Sequence, residues 1–244
     1  MLKYIIPGGI ALILIILIIR YFKLFRLVYF KMAYGKYSYR YIALHKKLFV
    51  KSPFAYCIKD ELDYRIILFL EAKGKSETFE TTEHISFGEQ PFNCSMNDIF
   101  ASKGELMCFN AMMHPAMKKE LRVVGFRENI FSLDMKALYY LLDNLFFMGE
   151  YVFKELNATS KDKLIDLLVQ KYKLKTKPSS VPFLIRDPEE RMIMFSDTGF
   201  SVQLAYMDMK NSTISSSVSG YFQNLKATQA VNRPGIDDDL LSRL

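Results

Sequence analysis

Residues 4–32 constrain the whole chain, because a dense apolar run there meets a ladder of aromatics and cations. Nine of the ten residues 10–19 are Ile or Leu, and the tenth is Ala11. At roughly −0.5 kcal/mol apiece on an insertion scale, these residues contribute about −4 kcal/mol toward entering a bilayer. Taken over residues 4–22, the run is long enough to span the hydrocarbon, with Arg20 able to snorkel to the headgroups. Pro7 falls in the first helical turn, where proline is tolerated. The reading is a single N-terminal transmembrane helix.

A cleaved leader would share the short apolar core, but Arg20-Tyr21-Phe22-Lys23 follows it instead of a small-x-small cleavage site. Lys3 is the one cation before the core, whereas Arg20, Lys23, Arg26, Lys31, Lys36 and Arg40 follow it. The positive-inside rule then places the N-terminus outside and the C-terminal domain in the cytoplasm. Asn93-Cys94-Ser95, Asn157-Ala158-Thr159 and Asn211-Ser212-Thr213 fit the acceptor pattern for glycosylation, which operates in a secretory lumen. The charge asymmetry weighs more, since it acts on topology physically while a triplet is only permissive.

Past the apolar run the cations are interleaved with rings. Arg20, Tyr21, Phe22, Lys23, Phe25, Arg26, Tyr29, Phe30 and Lys31 are the expected membrane-interface residues. Tyr and Phe favour the headgroup level, and each cation near an anionic leaflet is worth about 1 kcal/mol. The expected partners are therefore membrane lipids with anionic headgroups, met by a basic aromatic interfacial helix over 23–51.

The formal charge of +7 is concentrated in this region. Residues 1–51 hold ten Lys or Arg and no Asp or Glu, which leaves 23 basic and 26 acidic residues beyond them, a balance of about −3. A nucleic-acid binder would carry its basic patch on the folded domain, so no nucleic-acid partner is expected. Cys57, Cys94 and Cys108 are odd in number and widely spaced, which reads as three buried thiols in a reducing compartment and not as a disulfide framework.

The remainder reads as an α+β domain of mainly antiparallel strands packed against one or two helices. Strands are expected at 54–57, 64–72, 78–87, 106–112, 120–126 and 183–186, with a turn at 128–129 and a short helix at 96–101. Met135, Leu138, Leu142, Leu145, Gly149 and Val152 recur every three or four residues, predicting a long helix over 135–156 behind the cap Asp134. A second helix is expected from Thr159, and a hairpin from 192–195 and 200–206. The expected division is an anchor at 1–22, the interfacial helix at 23–51, the domain at 52–174, a linker and β-hairpin extension at 175–209, and a tail at 210–244.

No catalytic, cofactor or metal residues are assigned. Asp197-Thr198-Gly199 matches the aspartic-protease triplet, but Ser196 and Phe200 flank it and no second triplet exists, so it reads as a turn. Gly74-Lys75-Ser76 lacks the first glycine of a phosphate loop, Phe69 standing in its place. Cys94, Cys108 and His114 lack the close ligand pairs of zinc sites, and nothing local supports a Cys–His dyad with His84 or His114. Asp237-Asp238-Asp239-Leu240-Leu241 resembles an acidic dileucine signal and reads more simply as a solvated terminus.

The functional expectation is a single-pass membrane protein whose cytosolic domain is a non-enzymatic scaffold or a subunit of a membrane complex, with a partner protein of unknown identity. A lipid-binding domain at the membrane surface is the alternative, since 20 Phe and 13 Met could line an apolar cavity. A membrane-tethered hydrolase is the second alternative.

Overall fold

A computed structural model describes residues 2–57, 76–103, 106–114, 118–130, 133–154, 156–208, 210, 216 and 220. The side chains of residues 2–14, 19, 20, 114 and 130 are outside that description. The chain divides into two compact units, Met1–Tyr56 and Cys57–Leu244.

In the first unit, α1 (Leu2–Tyr34) is one continuous helix of 33 residues, about 50 Å at 1.5 Å per residue. Gly35 ends it at φ 81°, a left-handed conformation that costs glycine little, and its N–H donates to the Lys31 carbonyl at 3.0 Å. Ser38 then starts α2 (Tyr39–Phe49): its Oγ accepts from the Tyr41 N–H at 3.2 Å and donates to the Gly35 carbonyl at 3.0 Å. One hydroxyl thus joins the end of one helix to the beginning of the next. The sequence reading of one interfacial helix over 23–51 passed over this Gly–Ser stop and start signal.

The second unit is built on eight strands: β1 (Glu77–Glu80), β2 (Leu106–His114), β3 (Lys119–Ile130), β4 (Leu133–Leu142), β5 (Leu145–Lys154), β6 (Phe183–Arg186), β7 (Arg191–Asp197) and β8 (Ser201–Asp208). They form one sheet in the order β1-β6-β7-β8-β5-β4-β3-β2. All neighbours are antiparallel except β1 and β6. Two short helices, α3 (Met96–Ser102) and α4 (Ala158–Lys171), complete the described elements. The expected α+β class with mainly antiparallel strands is what the domain shows.

The register places Phe109, Val124, Tyr139, Gly149, Tyr206, Ile193, Ile185 and Phe79 in one row across all eight strands. Phe87 lies on this row where a side chain at Gly149 would be: a Cβ built there falls 2.3 Å from the Phe87 ring. The ring stacks on Tyr151 at 4.3 Å and meets Tyr139 and Tyr206 edge-on at 4.9 and 5.3 Å. On the neighbouring row Cys108, Gly125, Leu138, Glu150 and Ala205 are paired in turn. Cys108, Leu138 and Ala205 pack on that face in one buried apolar cluster with Tyr140, Met148, Met192 and Met207. Buried Glu150 accepts there from the Tyr140 hydroxyl at 2.6 Å.

Several expectations are corrected. The helix expected over 135–156 is not found: residues 135–154 belong to β4 and β5, joined through Asp143 and Asn144, both at positive φ as a tight hairpin turn requires. Both faces of these strands are buried, so apolar residues run almost continuously and match a helical period as readily as a strand's. Residues 54–57 are not a strand, and β3 runs straight through the expected turn at 128–129. Of 78–87 only the start is a regular strand. The helix expected from Thr159 is capped by Asn157, whose Oδ1 accepts from the Ser160 N–H at 2.8 Å. The β7–β8 hairpin forms as expected but lies inside the sheet, with β8 paired to β5, and is not an extension.

Cys57 and Cys108 are joined by a disulfide, where the sequence reading had separate buried thiols. Gly125 makes room for it, since a Cβ there would overlap the Cys108 sulfur. The strand expected at 64–72, Gly74 and Lys75, Asn211 and the acidic dileucine segment lie outside the described residues.

Gly149→Ala is expected to destabilise the protein by roughly 1–3 kcal/mol through overpacking against Phe87. Chemical denaturation of the full chain checks this, and Phe87→Leu added to Gly149→Ala should recover part of the loss, because the two sites share one space.

Candidate membrane-interface site

The interface residues expected from the sequence all lie on α1. Tyr21, Phe22, Lys23, Phe25, Arg26, Tyr29 and Lys31 are exposed, Phe30 is half-buried, and Arg20 is placed on the helix with its side chain outside the description. Above them Ile15, Ile16, Leu17 and Ile18 are 52, 55, 41 and 64% exposed. At 3.6 residues per turn, four successive positions point in different directions around a helix, and all four are exposed, although Ile18 borders Leu44 and Leu48 of α2. Exposed apolar surface of that extent marks a contact with something other than water.

Among the described residues no helix is long and apolar enough to cross a membrane. Most of the run from Ile10 to Ile19 falls where side chains are outside the description, so the described residues do not by themselves supply the expected anchor.

α2 returns along α1 and shapes a groove against it. Ile18, Phe22, Lys23 and Arg26 of α1, with Leu44 and Leu48 of α2, line a space of about 370 Å³. Leu44 and Leu48 are four apart and so share one face of α2. Three further cations of the unit lie against rings: Arg40 is 4.6 Å from the Tyr34 ring centre, Lys36 4.8 Å from Tyr37 and Lys46 5.0 Å from Tyr56. Arg26 is 6.0 Å from the Phe30 ring. His45 donates from Nδ1 to the Lys51 carbonyl at 2.9 Å. Residues 1–56 contain no Asp or Glu, so no carboxylate within this unit neutralises its cations. The groove residues Leu44 and Leu48 escaped the sequence reading. The signal for them was the Ser38 cap, which would have separated α2 as an element with its own face.

The candidate catalytic residues are dispersed. Asp197 sits at the end of β7, where its Oδ1 accepts from the Gly199 N–H at 2.8 Å and its Oδ2 from Lys161. These donors hold its carboxyl below the usual range, the Lys161 hydrogen bond first. A carboxylate paired to a lysine does not share a proton with a second carboxylate. His84 lies against Arg191, its Nδ1 2.6 Å from Nη1, with Glu189 3.9 Å away. His114 ends β2 opposite Lys119, and Cys108 is in the disulfide. Burial, and then Asp98, push the Cys94 thiol up, which leaves it less nucleophilic. Among the described residues no group of three or more His, Cys, Asp or Glu is placed to hold a metal ion.

Lys103 and Glu128 pair at 2.8 Å near the Tyr139 hydroxyl, which donates to Glu128 at 3.4 Å. Burial raises Tyr139 and Tyr151 well above the ordinary phenol range and Tyr172 to about 12, so these phenols stay protonated at neutral pH and supply no base.

Because Asp197 is depressed, its ion pair adds stability above the unfolded carboxyl pKa, and that contribution is lost as pH falls through the lower folded value. The pair is partly exposed, so Asp197→Asn should cost no more than about 1 kcal/mol at pH 7. The difference from wild type should close on acidification, as followed by thermal melts across pH. Comparison with family models, with curated proteins and with solved structures finds no match to this chain.

Proposed function

We propose that the chain is a single-pass membrane-anchored protein whose α1 enters the bilayer and whose eight-stranded domain is a non-enzymatic interaction module, a scaffold or a subunit of a membrane complex. One observation carries this reading: Ile15–Ile18 are all exposed on α1, at the C-terminal end of an uncharged apolar run and just before the first cations. Bilayer hydrocarbon satisfies apolar side chains that point in several directions at once, which a single docked protein face does not. Tyr21, Phe22, Phe25 and Tyr29 then fall at headgroup level among Arg20, Lys23, Arg26 and Lys31.

The lipid-binding reading of the sheet domain has less support. The space of about 460 Å³ beside α4 is lined by Leu133, Phe153, Ser160, Lys163, Leu164, Asp166, Leu167 and Gln170, with one Phe, no Met and charges of both signs. The fully buried Phe87, Phe109, Phe126, Phe146, Phe147, Phe183 and Phe195 serve the core. A hydrolase would need a constellation that Asp197, paired with Lys161, does not make.

For orientation the charge asymmetry favours the N-terminus outside and the domain in the cytoplasm. The Cys57–Cys108 disulfide opposes it, since such bonds persist in oxidising compartments. Asn93 and Asn157 are exposed, and the Asn93 Nδ2 donates to Asp208 at 3.1 Å.

Two measurements test the proposal. In membranes from expressing cells the full chain should resist alkaline carbonate extraction, and deletion of residues 2–22 should release it; release of the intact chain would refute the anchor. In a eukaryotic host the proposed orientation predicts unmodified Asn93 and Asn157. A glycan at Asn157 would reverse the orientation.

A further inference from the structure

We propose that the groove between α1 and α2 is an ordered binding site for one phospholipid with an anionic headgroup, distinct from the general contact of the anchor with the bilayer. The inference rests on α1 lying in the membrane as proposed above. It goes further by naming a site, a stoichiometry and a ligand class.

The groove has two chemistries in sequence. Ile18, Phe22, Leu44 and Leu48 supply an apolar trough, and Lys23 and Arg26, three apart on α1, also line it. At about 370 Å³ it lies within the roughly 300–1,000 Å³ typical of small-molecule sites. Ile18 belongs to the bare apolar stretch, while Lys23 and Arg26 lie one to two turns further toward the C-terminus of the helix. Along the helix axis the groove therefore runs from the level of acyl chains to the level of phosphates. An amphiphile with a chain at one end and an anion at the other matches that order.

The sign of the headgroup follows from charge. Residues 1–56 hold no carboxylate, so a phosphate entering beside Lys23 and Arg26 meets only cations within the unit. Arg26 offers a planar guanidinium suited to bidentate phosphate contact, and Lys23 a mobile point charge. A zwitterionic headgroup would bring a choline or ethanolamine cation into the same field. A fixed α2 keeps this groove open, because the Ser38 hydroxyl pins its first turn to Gly35 and Val50 closes its last turn on the Lys46 carbonyl at 2.8 Å.

The test uses the full chain, purified in a mild detergent and delipidated, then titrated with phosphatidylglycerol or phosphatidylcholine and read by native mass spectrometry. One phosphatidylglycerol per chain is expected to be retained at least tenfold better than phosphatidylcholine. Lys23→Gln with Arg26→Gln should abolish that preference. Leu44→Trp, which fills the trough and leaves the cations in place, should lower retention of both lipids, with helical content by circular dichroism unchanged. Should Leu44→Trp reduce helicity, the charge-neutral pair decides. Glycerol phosphate in excess should not displace the lipid.

Equal retention of the two lipids, wild-type retention by the neutralised variant, or displacement by glycerol phosphate would each overturn the site. Carbonate extraction of the same variants separates the two readings. A chain that stays in the membrane without lipid preference overturns only this inference, whereas a chain that leaves it overturns the anchor.

Discussion

The sheet domain depends on one steric fit, the Phe87 ring seated on the backbone of Gly149. Gly149 lies near the middle of a row that crosses all eight strands, and a side chain there would overlap the ring. The ring in turn gathers Tyr139, Phe146, Tyr151 and Tyr206. These residues come from the β4–β5 hairpin and from β8, which is distant from it in sequence, so the segment carrying Phe87 joins the three strands on one face. Burial of several rings at such a point contributes through area and through edge-to-face geometry together. The same burial holds the phenols protonated, which makes this cluster a structural centre and not a reactive one.

Where the sequence could be read correctly follows from how the chain is exposed. The β7–β8 hairpin was legible because its turn carries Asp197 and Gly199 and because Val202 and Leu204 alternate with the less buried Ser201 and Gln203. The α3 helix was legible because Ser95 and Asp98 form a reciprocal capping box. The β4–β5 pair was not, because strands buried on both faces lose the alternation that identifies a strand. Leu138 and Leu142 serve one core and Tyr139 and Leu141 the other, and together they imitate an amphipathic helix. The informative residues were Asp143 and Asn144, whose left-handed conformations a helix cannot contain. The Cys57–Cys108 bridge was illegible for a different reason: it depends on a backbone approach permitted by Gly125, 17 residues beyond Cys108, which spacing alone does not reveal.

The N-terminal unit was legible in composition but not in shape. Charge and aromaticity set Arg20 through Lys31 apart as the expected interfacial residues. Gly35 and Ser38 convert the following segment from a continuation into a return, and the return creates a lined groove from what composition presents as a uniform basic stripe. The distinction matters physically. A stripe attracts anionic lipid through a diffuse field that salt screens, whereas a groove with a trough and two cations selects by fit as well as by charge.

The disulfide has a mechanical meaning. Cys57 is the first residue of the sheet domain, and its bond to Cys108 attaches it to β2, the outermost strand of the sheet. A pull on the chain from the N-terminal side therefore reaches the domain first at that edge, where β3 is the described partner of β2. The Asn110 side chain, which accepts from the Cys57 N–H at 2.6 Å, shares that load with the two sulfurs.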